Sequence, residues 1–367
     1  MEEKLNLQQS ICREVAQLSV PELTAETEKA LNPLLQTVLR RIDGTVTQGL
    51  LDGSVILKPY FSDGRLSCMT VRKGEYKILE QDTSTNKPLV VEFYEQKGEF
   101  VRVERHTQLP NEYVVTNFAM YKGRMLENMP EPWQNFAKEV RFPGRTTPLY
   151  GYFETPDGKP FCHKAEKLIA EAEKQFERLL WEFESGNRAL YVADTAFFKD
   201  RKGNPVLPDK RLYRLLVTGK DDLFCDYSPV FRQKDLTEGL NCILERIEDC
   251  CGLSRGTVSD INHTARTATE LKISRHRTYT VVKWVQRALQ NAISDMLQAA
   301  RDILWVHGKA KSGAVTTHFA FDDSVLTGKT DDLSSVLALL DKGVFTPEEV
   351  KNYIMQKGFL MGGMQNG

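Results

Sequence analysis

The order of three helices around a short, turn-rich β stretch constrains this chain more than any other feature. Apolar spacing predicts a helix over Lys164–Ser185, strands within Arg188–Phe231 and a helix over Asp235–Cys250. A polar loop follows over Gly252–Thr264, and then a helix over Ala265–Trp305. In the first helix Leu168, Ala172, Phe176, Leu179 and Phe183 make one apolar stripe, and Gly186-Asn187 stops it. In the second, Leu236, Leu240, Ile243, Leu244 and Ile247 share a face, and Gly252 ends the run. The last helix carries Val282, Val285, Leu289, Ile293, Met296, Ala300 and Ile303. Unbroken, it would be about 60 Å long at 1.5 Å rise per residue. Ordinary globular helices run roughly 8 to 20 residues, so this length implies a wall or spoke in a larger assembly. The β stretch between the first two helices is too small to bury much alone, so neighbours or other copies are expected to complete its core.

The preceding part, residues 1–160, reads as a mixed α/β region. Helical spacing covers Leu7–Leu18 and Ala25–Arg41. Strands are expected at Ser54–Tyr60, Leu66–Arg72, Tyr76–Glu80, Leu89–Glu95, Glu99–His106 and Glu112–Tyr121. Asp63-Gly64 and Lys97-Gly98 are hairpin turns between them. Pro130, Pro132, Pro143 and Pro148 mark an irregular stretch before a strand at Tyr150–Phe153. Beyond the long helix a strand is expected at Thr316–Phe321, then two short helices. Thr346, Pro347 and Glu349 form a capping-box start for one of them. The fold class expected is α+β.

Composition narrows the function classes. A chain of 367 residues with 27% charged and 41% hydrophobic residues can bury a sizeable core. No apolar run approaches the roughly 20 residues that span a bilayer, and Met1–Val20 lacks the apolar core of a signal peptide. The seven cysteines show no C-x-x-C spacing, which fits a reducing compartment and argues against a zinc module. The vicinal pair Cys250–Cys251 reads as two small, half-buried residues at a helix end. A net charge of −1 argues against a generic basic nucleic-acid binder. It is compatible with a protein that surrounds DNA without gripping it, because grip comes from Lys and Arg at the phosphates.

Catalytic motifs fail on context. Gly252-Leu253-Ser254-Arg255-Gly256 matches G-x-S-x-G, but the nucleophile elbow needs a strand before it and a helix directly after. Gly328-Lys329-Thr330 resembles the end of a phosphate-binding loop, yet the first glycine position holds Asp323. Asp322-Asp323 lacks further spaced ligands for Mg²⁺, and the six histidines are scattered. The expectation is no enzyme, no cofactor and no metal. A serine hydrolase using Ser254 is the alternative of a different class.

Several segments, taken in order, carry a family resemblance. Gly252-Leu253-Ser254-Arg255-Gly256-Thr257 is followed by Thr267-Ala268-Thr269-Glu270 and the long helix. Ile11 to Ala16, Val55 to Tyr60 and Phe319 to Ser324 add to this order. The whole resembles the portal proteins of tailed bacteriophages, in particular siphophage portals of Gram-positive hosts. The resemblance implies a ring, usually dodecameric, at one capsid vertex, and divides the chain as follows. Residues 1–160 are similar to a mixed α/β wing, 161–187 and 234–252 to stem helices, and 188–233 to a small β-rich clip. Residues 253–264 resemble the tunnel loop, 265–318 the long kinked helix and wing return, and 319–367 a short helical region on the crown side. Family members usually have a longer wing and often a longer C-terminal region, so a natural short form or an incomplete gene product is expected.

The implied function is a virion conduit for double-stranded DNA during packaging and ejection, assembled in the host cytoplasm. The implied partners are further copies of the chain, the large terminase subunit, a head-completion or adaptor protein, the scaffold and major capsid proteins, and DNA held non-specifically, with no membrane. Another head–tail connector or minor capsid component is the nearer alternative. Tunnel-loop residues facing DNA would be Ser254, Arg255, Thr257, Asp260, Asn262, His263 and Thr264. Their Gly, Ser, Thr, Asp and Asn content resists packing, so this loop is expected to be mobile. Motor docking would fall to Arg201, Lys202, Asn204, Asp209 and Lys210 at the clip.

Overall fold

Alternating strands and amphipathic helices build an α+β chain in a computed structural model. It describes residues 5–21, 23–84, 87–131, 133–185, 189–193, 201–202, 213–216, 224–227, 231–260 and 268–321. Two compact units result. One comprises the described residues of 1–11 and 162–270, the other those of 12–161 and 271–367.

The larger unit is built on hairpins that its turns dictate. Strands β2 (Ser54–Ser62) and β3 (Arg65–Arg72) pair antiparallel across Asp63-Gly64, where both residues have positive φ. Strand β10 (Gly151–Glu154) joins the other edge of β2, giving the order β10-β2-β3. A second, antiparallel sheet runs β4 (Tyr76–Gln81), β5 (Pro88–Lys97), β6 (Phe100–Gln108), β7 (Glu112–Tyr121), β8 (Arg124–Met125), with β9 (Glu139–Pro143) also paired to β7. Ile56, Val71, Tyr76, Val91, Phe93 and Tyr150 form one core cluster. Tyr113, Val115, Phe142 and Leu149 form another with Ala299 of the long helix α6 (Ala268–Val306). That helix packs tightly on β10: a Cβ on Gly151 would collide with the Ala292 carbonyl oxygen, so only glycine allows the approach. Gln286 of α6 also donates to the Ser19 carbonyl at 3.1 Å, at the end of α1 (Leu7–Ser19).

Three expectations need correction here. Ala25–Arg41 is not one helix. Strand β1 (Thr24–Glu26) pairs with β14 (His318–Ala320), and helix α2 (Asn32–Leu39) starts only beyond it, with Pro33 in its first turn. Backbone pairing to a distant strand overrides the local helical spacing. Next comes a helix the spacing did not predict, α3 (Ile42–Asp52). Its glycines lower helix propensity, but Gly49 lies where a side chain would strike Phe153 and Val55, so packing selects it. Finally, β9 lies inside the stretch read as irregular, since Pro143 closes the strand rather than interrupting it.

The smaller unit contains helices α4 (Glu166–Ser185) and α5 (Gln233–Cys251), which pack on each other. Between them in sequence lies a three-stranded sheet, ordered β12-β11-β13, of β11 (Ala189–Ala193), β12 (Tyr213–Leu216) and β13 (Phe224–Tyr227). Strand β11 is parallel to β12 and antiparallel to β13. The long helix has 39 residues, Ala268–Val306, close to the span expected. The C-terminal helices expected after Phe321 lie outside the described residues.

Candidate functional site

Polar contacts tie α4 to α5 and to the residue before it. Gln175 donates to the Leu236 carbonyl at 3.3 Å, and Gly239 leaves room for that side chain. At the sheet end, the Glu182 carboxylate accepts from Arg232 Nη2 at 2.9 Å and from the Arg232 backbone N–H at 3.3 Å. It thereby supplies the cap that α5 lacks from its own side chains. Those hydrogen bonds to Arg232 hold the Glu182 carboxyl below the usual carboxylate range. The apolar stripe is only partly covered. Leu168, Phe176, Leu179, Leu236, Leu240 and Ile243 are half-buried, and Trp181 is 63% exposed. The Phe183 and Phe231 rings meet at a tilt of 56° with centroids 5.0 Å apart, and both remain exposed.

The other end of α5 is far better ordered than its composition suggests. Gly252, at φ 70°, terminates the helix in the left-handed region. Its N–H bonds the Asp249 carbonyl and that of Leu253 bonds the Glu248 carbonyl, the paired closure of a Schellman motif. The chain then wraps around Glu248, whose side chain is fully buried. Its Oε1 accepts from the N–H of Val258 at 2.6 Å and of Ser259 at 2.8 Å. Its Oε2 accepts from the Ser259 hydroxyl at 2.8 Å and from the Gly256 N–H at 3.3 Å. Gly256, at φ 87°, makes the turn that aims these donors inward. Outside this knot Arg255 bridges Glu245 and Asp249 of α5, and Asn241 accepts from the Asp260 N–H at 2.7 Å.

The residues expected to face DNA therefore divide. Ser254 is buried, and its carbonyl accepts from the Thr257 hydroxyl at 2.6 Å. Arg255 and Asp260 are exposed, and Thr257 is half-buried. Asn262, His263 and Thr264 lie outside the described residues. The expectation that the whole loop resists packing is corrected for residues 252–260, because a buried carboxylate satisfies the polar backbone that would otherwise keep them in solvent. Glu248 itself went unnoticed. A visible signal existed: it follows Leu244 by four residues on the apolar face of α5, directly before a glycine-rich turn. The same geometry speaks against Ser254 as an elbow nucleophile, since helix α5 rather than a strand precedes it and its residue is buried. Of the residues expected to dock a motor, Arg201 and Lys202 are exposed in a turn, while Asn204, Asp209 and Lys210 lie outside the described residues.

A second polar cluster, in the larger unit, was also missed. Glu104 on β6 accepts from Lys58 on β2 at 2.7 Å, from His106 Nε2 at 2.7 Å and from Arg102 at 3.0 Å. His106 Nδ1 lies 3.0 Å from the Tyr113 hydroxyl, and the Arg102 guanidinium lies 4.3 Å from the Phe136 ring centroid. Burial alone would push the Glu104 carboxyl up, but Lys58 and His106 together hold it well below the usual range. Burial pushes His106 down, against the pull of the Glu104 carboxylate. Arg102, Glu104 and His106 alternate with Val101 and Val103, so both faces of β6 carry large side chains. Charges on the largely buried face that carries Arg102, Glu104 and His106 must find partners. Among the described residues no cluster of potential metal ligands occurs, and no helix is long and apolar enough to cross a membrane.

No protein-family model matches the chain, and no curated protein matches it. Among solved structures it is similar to one described as the neck of an empty GTA particle computed with C6 symmetry. The match has 10% identity and a TM-score of 0.43, and covers 96% of this chain and 89% of that one. A likeness at this level carries no functional conclusion.

Proposed function

We propose that this chain is a portal-type subunit: a non-enzymatic ring component, in the dodecameric form usual for that family, through which double-stranded DNA passes at a phage capsid vertex. The observation that carries this reading is the α4–α5 pair with its sheet. The helix pair and the residue leading into α5 expose Trp181, Phe183 and Phe231 and leave Leu168, Phe176, Leu179, Leu236, Leu240 and Ile243 half-buried. Apolar surface of this kind on a solvated helix pair calls for a protein partner. Copies of the chain arranged about an axis would supply one, each pair packing on the next. The sequence resemblance to siphophage portals supports the same arrangement, with residues 188–233 as clip and 253–264 nearest the channel. DNA would slide because a lumen poor in Lys and Arg neutralises few phosphates. The large terminase subunit would dock first at the clip, and a head-completion or adaptor protein later, with scaffold and major capsid protein around the ring.

Trp181→Glu tests the reading. It places a charge on the proposed inter-subunit face and leaves the intramolecular α4–α5 contacts in place. Light scattering should show high oligomers for the unmodified chain and a shift of the variant to monomer at equal concentration. Unchanged monomer for both would overturn the proposal.

A further inference from the structure

Strand β4 is the outer edge of its sheet, and its pairing with β5 carries a bulge between Ile78 and Glu80. Beside that edge lies a groove of about 480 Å³, lined by Ser54 of β2, Tyr152 and Glu154 of β10, and Ile78 and Leu79 of β4. Glu154 is half-buried there, and Tyr152 donates its hydroxyl to Glu154 Oε1 at 2.9 Å. Among the described residues the carboxylate makes no ion pair. Lys73, whose charge acts on it from the rim, directs its Nζ instead to the Asp52 and Gly158 carbonyls, at 3.1 and 3.5 Å. Burial pushes the Glu154 carboxyl up, against the pull of Tyr152 and Lys73. Gly158 keeps the space open, since a Cβ there would lie 2.8 Å from Glu154 Oε1. The Thr155 hydroxyl donates to the Lys159 carbonyl at 2.6 Å, which fixes the loop that carries Gly158.

We propose that this groove binds a primary alkylammonium group, with the Glu154 carboxylate taking the charge and Ile78, Leu79 and Tyr152 covering the methylenes. A half-buried carboxylate without a counter-cation gains most from a donor that brings positive charge. One of its oxygens is already engaged by Tyr152, so the two-pronged fork of a guanidinium finds no matching pair of acceptors, whereas an ammonium needs only one. The ammonium chemistry is shared by a free diamine and by a lysine side chain of another protein. Lys73 and Lys77 at the rim repel any such cation, so they set the affinity against Glu154.

The test is calorimetric titration of the full chain with putrescine and, separately, with Nα-acetyl-lysine N-methylamide. Butanediol and the arginine counterpart of the lysine probe serve as controls. Binding of both ammonium probes supports the site for the group itself. Binding of putrescine alone supports it with a free diamine as source, and of the lysine probe alone with a protein side chain. Glu154→Gln should weaken binding roughly tenfold to a hundredfold, the range for losing a bond to a charged group. Lys73→Ala should strengthen it, a gain that damage to the fold cannot produce. The proposal is overturned by failure of both ammonium probes to bind, by butanediol binding as well as putrescine, or by the arginine probe binding more tightly than the lysine probe. Unchanged affinity in Glu154→Gln, or no gain in Lys73→Ala, would overturn it equally.

Discussion

Glu248→Ala is the substitution whose cost the structure fixes most closely. The carboxylate accepts from three backbone N–H groups and one hydroxyl in a fully buried position. A hydrogen bond to a charged group contributes about 1.5–3 kcal/mol, but the four share one acceptor and the loop can relax toward water. The bonds from the Val258 and Ser259 N–H groups and the Ser259 hydroxyl, at 2.6, 2.8 and 2.8 Å, are the short ones. The working figure is about 3–5 kcal/mol, the range for removing one side of a buried charged arrangement. Native-state hydrogen exchange reads this locally. The amides of Val258 and Ser259 should exchange faster by roughly two to four powers of ten, since each 1.4 kcal/mol is tenfold. Glu248→Gln keeps the shape and one good acceptor, and its amide can donate to the Ser259 hydroxyl. It should cost only about 1–2 kcal/mol, because the Gly256 N–H keeps the Ser259 hydroxyl oxygen as an acceptor at 3.1 Å and the loss is mainly that of the charge on the shared acceptor. Arg255→Ala breaks more exposed pairs and should cost under about 1 kcal/mol. Equal, small exchange changes in all three variants would refute the idea that Glu248 orders the loop.

Other outcomes follow from the same coordinates. Gly151→Ala forces a methyl against the Ala292 carbonyl and should lower stability by about 1–3 kcal/mol in urea unfolding, with the loss tracking β10 and α6. Because His106 is held down, an unfolded chain takes up a proton there before the folded one does; stability should therefore fall as pH drops below about 6.5, and His106→Gln should flatten that slope. Glu104 is held down as well, so its contribution is present above its unfolded value and disappears only as pH falls through its lower folded one, giving a separate loss in stronger acid. If the proposed docking at this turn holds, charge reversal at Arg201 and Lys202 should weaken binding of the proposed terminase partner and alter its salt dependence without dissolving the proposed ring, as a titration at two ionic strengths would report.

What was legible in the sequence follows from how local its cause is. The strand set Ser54–Tyr121 was readable because turn residues such as Asp63-Gly64, Lys97-Gly98 and Pro110-Asn111 separate the alternating segments, and the hairpins need no distant partner. Gly252 announced the end of α5 for the same reason. Strand β1 was misread because its partner β14 lies almost three hundred residues away, and α3 because Gly49 serves packing against Phe153 rather than helix propensity. The site residues were harder still. Ser254 and Thr257 were correctly placed in a glycine-rich turn, but composition alone pointed to a loose loop. One glutamate on an apolar helix face reverses that, and its role depends on backbone donors that no side-chain pattern displays. The Lys58–Glu104 pair joins strands of different sheets, so neither strand shows it by itself.

Negative-stain electron microscopy of the purified chain tests the central claim most directly. The account predicts closed rings with a central hole and a particle mass near twelve times 41.8 kDa. Uniform particles of a single chain, without a ring at any concentration across a wide range, would contradict it.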